Sequence, residues 1–359
     1  MHDINSKKNP SKQYAIGLMS GTSLDGLDIC YCSFEYEKEV YNYEILKVKT
    51  IKYNQNWKKK FIESKFLSKQ ELEDFDIEFG QFLGISVQDF IKKNTILEID
   101  FIASHGHTIF HQPEKKYTLQ IGNGNEINKI TDKTIVNDFR IQDVLLGGQG
   151  APLVPIGDEL LFSKYDACIN LGGFSNISFR KNNERIAFDI CPVNIVLNEF
   201  STKLGKEFDE SGSFAKKGKV NNTILNTLNN IAFYKQYPPK SLGREWVETH
   251  IFPLLKNETS ENILATFTYH ISEQISNICN QNNLQSILFT GGGTYNTFLL
   301  ELIKKQTTAR IIIPDSKLIE YKEALIFAFL GYLRLQQKVN VLSSVTGAIE
   351  NHCSGKIYN

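Results

Sequence analysis

The sequence predicts an α/β protein of two similar domains with a ligand cleft between them, and three observations carry that expectation. The chain has 359 residues, more than one small core organises, so two domains are expected, and a cleft with them. Three widely separated segments share one design: a short β-rich run, a turn of glycines and small polar residues, and a second ordered element. Between them, apolar residues recur at helical spacing over about 69–94, 193–204, 219–232 and 260–282, with a more apolar helix at about 320–336.

The first segment is the run Tyr14–Met19, the turn Ser20-Gly21-Thr22-Ser23, and Leu27–Phe34 as a returning strand, which together read as a β-hairpin with a glycine tip. The second repeats it: Ala167–Leu171, the turn Gly172-Gly173-Phe174-Ser175-Asn176, and Ile177-Ser178-Phe179. The third is a strand, Ser286–Thr290, then Gly291-Gly292-Gly293, then Asn296 and the helical pattern Phe298–Ile303. Pro-Leu-Val-Pro at 152–155 and Tyr237-Pro238-Pro239-Lys240 mark bends or surface loops, and the domain boundary is expected near 138–155.

Bulk chemistry narrows the partners. Charged residues make up 22% and the formal net charge is zero, which argues against disorder and against nucleic acid or an anionic membrane as partner, and favours a small molecule. The cysteines, Cys30, Cys32, Cys168, Cys191, Cys279 and Cys353, include no C-x-x-C pair and read as reduced core thiols. Residues 1–13 are polar with no apolar leader core, and no run approaches the ~18 apolar residues of a membrane span, so a soluble cytoplasmic protein is expected.

A tight turn that gathers backbone N–H groups suits a multiply charged oxyanion, and glycine permits both the geometry and the close approach. Thr22 and Ser23 add hydroxyl donors to the first tip. A single such turn is as well explained by hairpin shape alone. Three of them, in the order hairpin, hairpin, triple glycine before a helix, resemble the sugar kinase, actin and heat-shock ATPase superfamily. That resemblance implies two RNase H-like domains of the actin/hexokinase type, with both hairpins on the phosphates of ATP and the later glycines beside the adenosine. Two acidic positions common in that superfamily are Met19 and Asn170 here. Mg²⁺ would then rest on phosphates, water and other carboxylates, with Asp25 and Asp28 the nearest candidates.

Further strings narrow the resemblance. They are Gly17–Gly26, Ser104-His105-Gly106-His107-Thr108 with His111-Gln112-Pro113, and Asp138-Phe139-Arg140 followed by Gly147–Pro155. To these are added Asn170–Ile177, Pro239–Glu245, Lys322-Glu323-Ala324 and Thr346-Gly347-Ala348. Together they resemble the anhydro-N-acetylmuramic acid kinase family. The resemblance implies that 1,6-anhydro-N-acetylmuramic acid, ATP and water give N-acetylmuramic acid 6-phosphate and ADP in cell-wall sugar recycling, and it suggests a homodimer. It implies an N-terminal lobe of 1–140 with about 338–359 and a C-terminal lobe of 141–337. The nucleotide contacts would be Gly21, Thr22, Ser23, Leu24, Asp25, Gly26, Leu27, Asp28, Gly172, Gly173, Asn176, Gly291, Gly292, Gly293 and Asn296.

The family's base is the Asp of Phe-Asp-Thr-Gly-Pro-Gly-Asn, which corresponds to Phe188-Asp189-Ile190-Cys191-Pro192-Val193-Asn194; Asp, Pro and Asn persist, while Thr and both glycines do not. Asp189 ends the apolar run Ile186-Ala187-Phe188, and the competing reading makes it the cap of a helix beginning near Val193. For the sugar and its carboxylate the resemblance implies His105, Thr108, Asp138, Arg140, Asn194 and Glu323. Glu323, on an apolar helix, needs a site role or a cation such as Lys322. The three histidines of 105–111 lack acidic or cysteine partners at zinc spacing and read as loop-shaping. Gly147–Gly150 reads as an inter-domain turn in preference to a phosphate cradle, and Lys240, Ser241 and Arg244 as an anion contact or a loop salt bridge. Beside the active kinase, two alternatives stay open: a nucleotide-binding sensor without turnover, and a kinase for another sugar.

Overall fold

The computed structural model describes residues 12–359; most of the polar N-terminal stretch read above lies outside them. The described chain divides into two compact units, one of residues up to Leu161 together with Tyr321–Asn359, the other Phe162–Glu320. The passages thus fall at 161/162 and 320/321, where the sequence reading had put them near 141 and 338. The second passage lies inside one helix, Ser316–Leu335. Its first turn is bound by Asp315, whose carboxylate accepts from Leu318 N, so the helix starts several residues before the expected 320.

In the first unit β1 (Gln13–Ser20), β2 (Gly26–Glu37) and β3 (Val40–Lys52) form an antiparallel meander. The chain then crosses over through the helix Lys69–Asn94 to β4 (Phe101–Gln112), parallel to β1. A side hairpin, β5 (Tyr117–Ile121), pairs with β4, and β6 (Thr134–Asn137) continues the parallel set. The edge is closed by the strand Lys356–Tyr358, antiparallel to β6. The long helix has the boundaries the sequence predicts because its ends are coded locally: Ser68 and Glu71 form a reciprocal capping box, and Thr95 ends it in the left-handed conformation.

The second unit repeats the plan. β7 (Ala167–Leu171), β8 (Phe174–Lys181) and β9 (Glu184–Pro192) form the meander, β10 (Ser286–Thr290) lies parallel to β7, and β11 (Arg310–Ile312) lies parallel to β10. In each unit the meander's third strand is outermost, the order across the sheet is third, second, first, fourth, then a further parallel strand, and only the second strand of that path runs antiparallel to the rest. This is the RNase H-like arrangement, present twice. The cores are separate: Ile16, Leu27, Phe79, Leu83 and Ile102 centre the first, and Ile169, Phe267, Ile271, Phe289 and Leu299 the second.

Candidate active site

In the first unit the hairpin tip runs from Gly21 to Asp25 and is closed by a bond from Leu24 N to Gly21 O of 3.2 Å. Thr22, Ser23 and Asp25 are exposed, and neither hydroxyl has a partner among the described residues. Gly26 and Leu27 belong instead to the buried arm of the hairpin, with Leu27 in the core. Asp28 accepts from Thr50 Oγ1 at 2.6 Å, so its carboxylate is already engaged. The tip is braced from beneath: Ser20 Oγ lies 2.6 Å from Tyr53 Oη and 2.8 Å from His107 Nδ1. His107 stacks on Phe61, and burial pushes its imidazole down to about 4, which keeps it neutral.

On β4 and just past the carboxyl end of β6 lies the second polar group of this unit. His105 is buried, with Nδ1 2.9 Å from Gly106 O and Nε2 accepting from Arg140 Nε at 3.0 Å, a pattern that fixes the neutral tautomer. Burial and the adjacent guanidinium hold its pKa well below the usual range. Arg140 Nη1 donates to Gly150 O at 2.6 Å, so Nε and Nη1 are fixed and Nη2 is left over among the described residues. Desolvation lowers its pKa to about 10, against the pull of Glu323 and Asp143.

Glu323 is reachable by water yet crowded, and desolvation pushes its carboxyl up while Arg140 and Lys322 pull it down. The Lys322 ammonium is itself buried against Asp158 at 2.6 Å. One turn further along the same helix Phe327 packs on His105, with ring centres 4.6 Å apart. Asp138 is half-buried with φ 55°, and desolvation raises its pKa, partly offset by Lys356. Among the described residues the Thr108 hydroxyl takes only a long 3.4 Å bond from Gln120. His111 bonds Thr118 at 3.1 Å. Gly147–Gly150 lies wholly inside this unit, so it is not an inter-domain turn.

In the second unit the ladder aligns four residues across four strands: Thr290 opposite Asn170, Asn170 opposite Asn176, and Asn176 opposite Asp189. Residues directly opposite share a face, so the sheet sets Asn176 and Asp189 side by side. The register slips here, with Ser175 opposite Cys191, which makes Ile190 the extra residue of a β-bulge that re-aims the strand end. Asp189 N donates to Lys240 O at 3.1 Å, and its Oδ2 accepts from Leu242 N at 2.8 Å. Burial raises the pKa of this carboxyl and the Leu242 amide draws it part of the way back. The cap reading of Asp189 is overturned: the helix Asn194–Lys203 has Val193 at its N-cap and no side-chain cap bond.

Gly172 and Gly173 form the short second tip, whose carbonyls accept from Val193 N, Asn194 N and Ile195 N. Asn194 sits here, its Nδ2 3.4 Å from Leu171 O. Gly291 has φ 83°, and a Cβ would stand 2.5 Å from Asn170 Oδ1, so glycine is required there. At Gly173 and Gly292, by contrast, a Cβ would meet nothing within 4 Å, which leaves their backbone open to a close ligand. Asn296 caps the helix Thr297–Gln306 through Leu299 N and is nearly buried. Lys240 Nζ bonds Phe233 O at 3.2 Å, and Arg244 pairs with Glu248 on its own exposed helix.

Residues 13–359 match the family described as anhydro-N-acetylmuramic acid kinase. The chain belongs to that family. Anhydro-N-acetylmuramic acid kinase of Francisella tularensis subsp. novicida is 33% identical, over 96% of this chain and 98% of that protein. The Haemophilus influenzae protein of the same name is 31% identical, over 98% and 99%. Among solved structures, component A of the Acidaminococcus fermentans (R)-2-hydroxyglutaryl-CoA dehydratase covers 88% of this chain and 96% of its own at 13% identity and a TM-score of 0.47. No helix of the described residues is long and apolar enough to cross a membrane. As a member of the anhydro-N-acetylmuramic acid kinase family the chain is a kinase that uses ATP.

Sequence reasoning passed over three groups. Asn170 was noted only as a departure, though the ladder puts it between Thr290 and Asn176. Tyr53, beneath the first tip, carries no local signal because its partner Ser20 is remote in sequence. The loop backbone of Lys240 and Leu242, which holds Asp189, lay inside a string matched to the family but given no such role.

Proposed function

We propose that Asp189 is the general base of a reaction that opens 1,6-anhydro-N-acetylmuramic acid and phosphorylates the released oxygen. Asp189 takes a proton from water as the water oxygen attacks the anomeric carbon. The bond from that carbon to O6 breaks, O6 takes the γ-phosphoryl group of ATP, and ADP leaves. The phosphoryl group does for the leaving oxygen what a general acid's proton does in an ordinary glycosidase, so a single carboxylate suffices. The observation that carries this reading is the placement of Asp189: half-buried, raised in basicity by desolvation, and fixed at one oxygen by Leu242 N, with the other oxygen left for water.

The remaining roles follow the donors. Thr22, Ser23 and the open backbone of Gly173 suit phosphate oxygens, and the open backbone of Gly292 suits the adenosine, where approach is close and, among the described residues, the groups are otherwise unbonded. Mg²⁺ suits the exposed Asp25, with Asp28 beyond it, because this ion takes one or two carboxylates and draws its other ligands from phosphate and water; no group of three His, Cys, Asp or Glu residues stands ready for a metal among the described residues. It would neutralise charge on the phosphates. Arg140 Nη2 is the donor for the sugar's lactyl carboxylate, with His105, Thr108, Asp138, Asn194 and Glu323 left for its other polar groups. The supply of ATP puts the reaction in the cytoplasm, and a homodimer is the expected assembly, checked by sedimentation.

The test follows ADP release with Mg-ATP and either the 1,6-anhydro sugar or the open-ring sugar, in ¹⁸O water. Label at the anomeric oxygen and phosphate at O6 are expected from the bridged sugar. Turnover of the open sugar alone sinks the ring-opening role of Asp189.

A further inference from the structure

We infer that Asp143 and Thr346 are positioning residues for Arg140, and through it for the acidic group of the sugar; the inference rests on the reading of Arg140 given above. Asp143 is fully buried, and among the described residues its carboxylate hydrogen-bonds none of the groups assigned to substrate. A buried carboxylate is stable only when its oxygens are hydrogen-bonded, and those bonds reveal what it holds. Oδ2 accepts from Gly150 N at 2.6 Å, and Oδ1 from Thr346 Oγ1 at 2.6 Å. A third contact, His352 Nε2, lies 3.6 Å from Oδ1.

The Gly150 bond is one step from Arg140, and the Thr346 bond lies one step behind it. Gly150, whose N–H is held by Asp143, offers its carbonyl to Arg140 Nη1. Thr346 straps the same loop twice, by its hydroxyl on Asp143 and by its carbonyl, which accepts from Gln149 N at 2.8 Å. Gly148 N donates to the Asp143 carbonyl at 2.8 Å, and a side chain at Gly148 would collide with the Asp143 carboxylate. The loop 147–150 is therefore wrapped around Asp143, with Thr346 as the outer tie. From the other side His105 Nε2 takes Arg140 Nε. A guanidinium is planar, so fixing Nε and Nη1 also fixes the direction of Nη2, the atom free to meet a carboxylate. The Asp143 charge also stabilises the cationic form of Arg140.

Calorimetric titration of 1,6-anhydro-N-acetylmuramic acid and, separately, of ATP into the full chain tests this, with melting curves recorded alongside. Thr346→Val keeps the shape and deletes the donor; it is expected to weaken sugar binding ~10-fold and leave ATP binding unchanged, while Thr346→Ser stays within ~2-fold of the parent. Arg140→Ala is expected to weaken sugar binding ~100-fold, and adding Thr346→Val to it should cost less than ~2-fold more, because the two act through one contact. If Arg140→Ala leaves sugar affinity intact, the assignment of Arg140 itself fails. If Arg140→Ala weakens the sugar and Thr346→Val does not, or if Thr346→Val weakens ATP equally, the positioning inference is overturned. Should Thr346→Val fail to fold, Asp143→Asn takes its place, with a loss of ~5-fold expected for the sugar alone; unchanged sugar affinity overturns the inference as before.

Discussion

The two sheets share one strand order, yet their hairpin tips are built for different work. The first tip has five residues, Gly21 to Asp25, with two hydroxyls that have no partner among the described residues, and it is braced at its root, where Ser20 meets Tyr53 and His107. The second has two glycines whose carbonyls are tied to the start of the helix Asn194–Lys203. A long tip adds side-chain donors and can adapt to a ligand; a short, tied tip offers backbone alone and holds its neighbours in place. The neighbour held there is β9, with Asp189 at its bulge. One topology, used twice, thus carries in one unit a long tip with hydroxyl donors and in the other a tied strand end; in the proposed reaction the first is the gripping end and the second the reacting end.

That division breaks most directly at Asp189. Asp189→Asn is expected to lower turnover ~10²-fold or more with ATP affinity nearly intact, measured by ADP release and calorimetry; retained turnover would move the base elsewhere, with Glu323 the next candidate. The same variant carries a stability signature. The folded carboxyl titrates above its unfolded value, so its ionisation opposes folding: the cost is fully present above the folded pKa and disappears as pH falls through it towards the unfolded value near ~4. Asp189→Asn should therefore raise the melting temperature at pH 7 and give no gain near pH 4.

A smaller effect separates strain from access among the glycines. Gly291→Ala, forced to a positive φ against Asn170, is expected to cost about 2–3 kcal/mol of stability by denaturant titration. Gly292→Ala meets nothing and should leave stability within about 0.5 kcal/mol while weakening ATP several-fold. If both behave alike, the contrast between a packed and an open glycine is wrong.

Next comes the gripping end. Thr22→Val with Ser23→Ala should raise the KM for ATP ~10-fold and spare the KM for sugar; an equal rise in both would deny the first tip its separate task. The smallest change expected is Asn296→Ala, a lost helix cap worth about 1 kcal/mol in thermal melting. A rise in the KM for ATP beyond that loss would show that Asn296 serves the nucleotide as well as the helix.

Where the code is local, the fold was legible. The helix Lys69–Asn94 announces itself through Ser68, Glu71 and its apolar period, and both hairpins through their glycine turns. The helix expected at 219–232 is shorter, Asn222–Asn229, because Asn221 caps it. What remained hidden depends on partners far along the chain. Nothing near Asp143 predicts Thr346, and nothing near Asp189 predicts Leu242 N. Glu323 reads as needing a site role or a cation such as Lys322, but Lys322 is turned to Asp158, a residue that only the packed helices bring near. Asp189 reads from the sequence as the end of the run Ile186-Ala187-Phe188, with a helix cap as the competing reading; the strand runs on past it to Pro192, so the residue stands in a ladder and not at a helix start.

The division of the chain at 161/162 and 320/321 also sets an order of assembly during synthesis. The first unit begins to appear before any of the second, yet it needs the strand Lys356–Tyr358 on β6 and the helix that lies against Gly17 to cover its sheet. At ~5–20 residues per second, the ~200 residues after Leu161 hold it open for ~10–40 s. Over that interval β1 and β6 emerge without their final cover, while the second unit, continuous from Phe162 to Glu320, can already close. The unit that starts first finishes last.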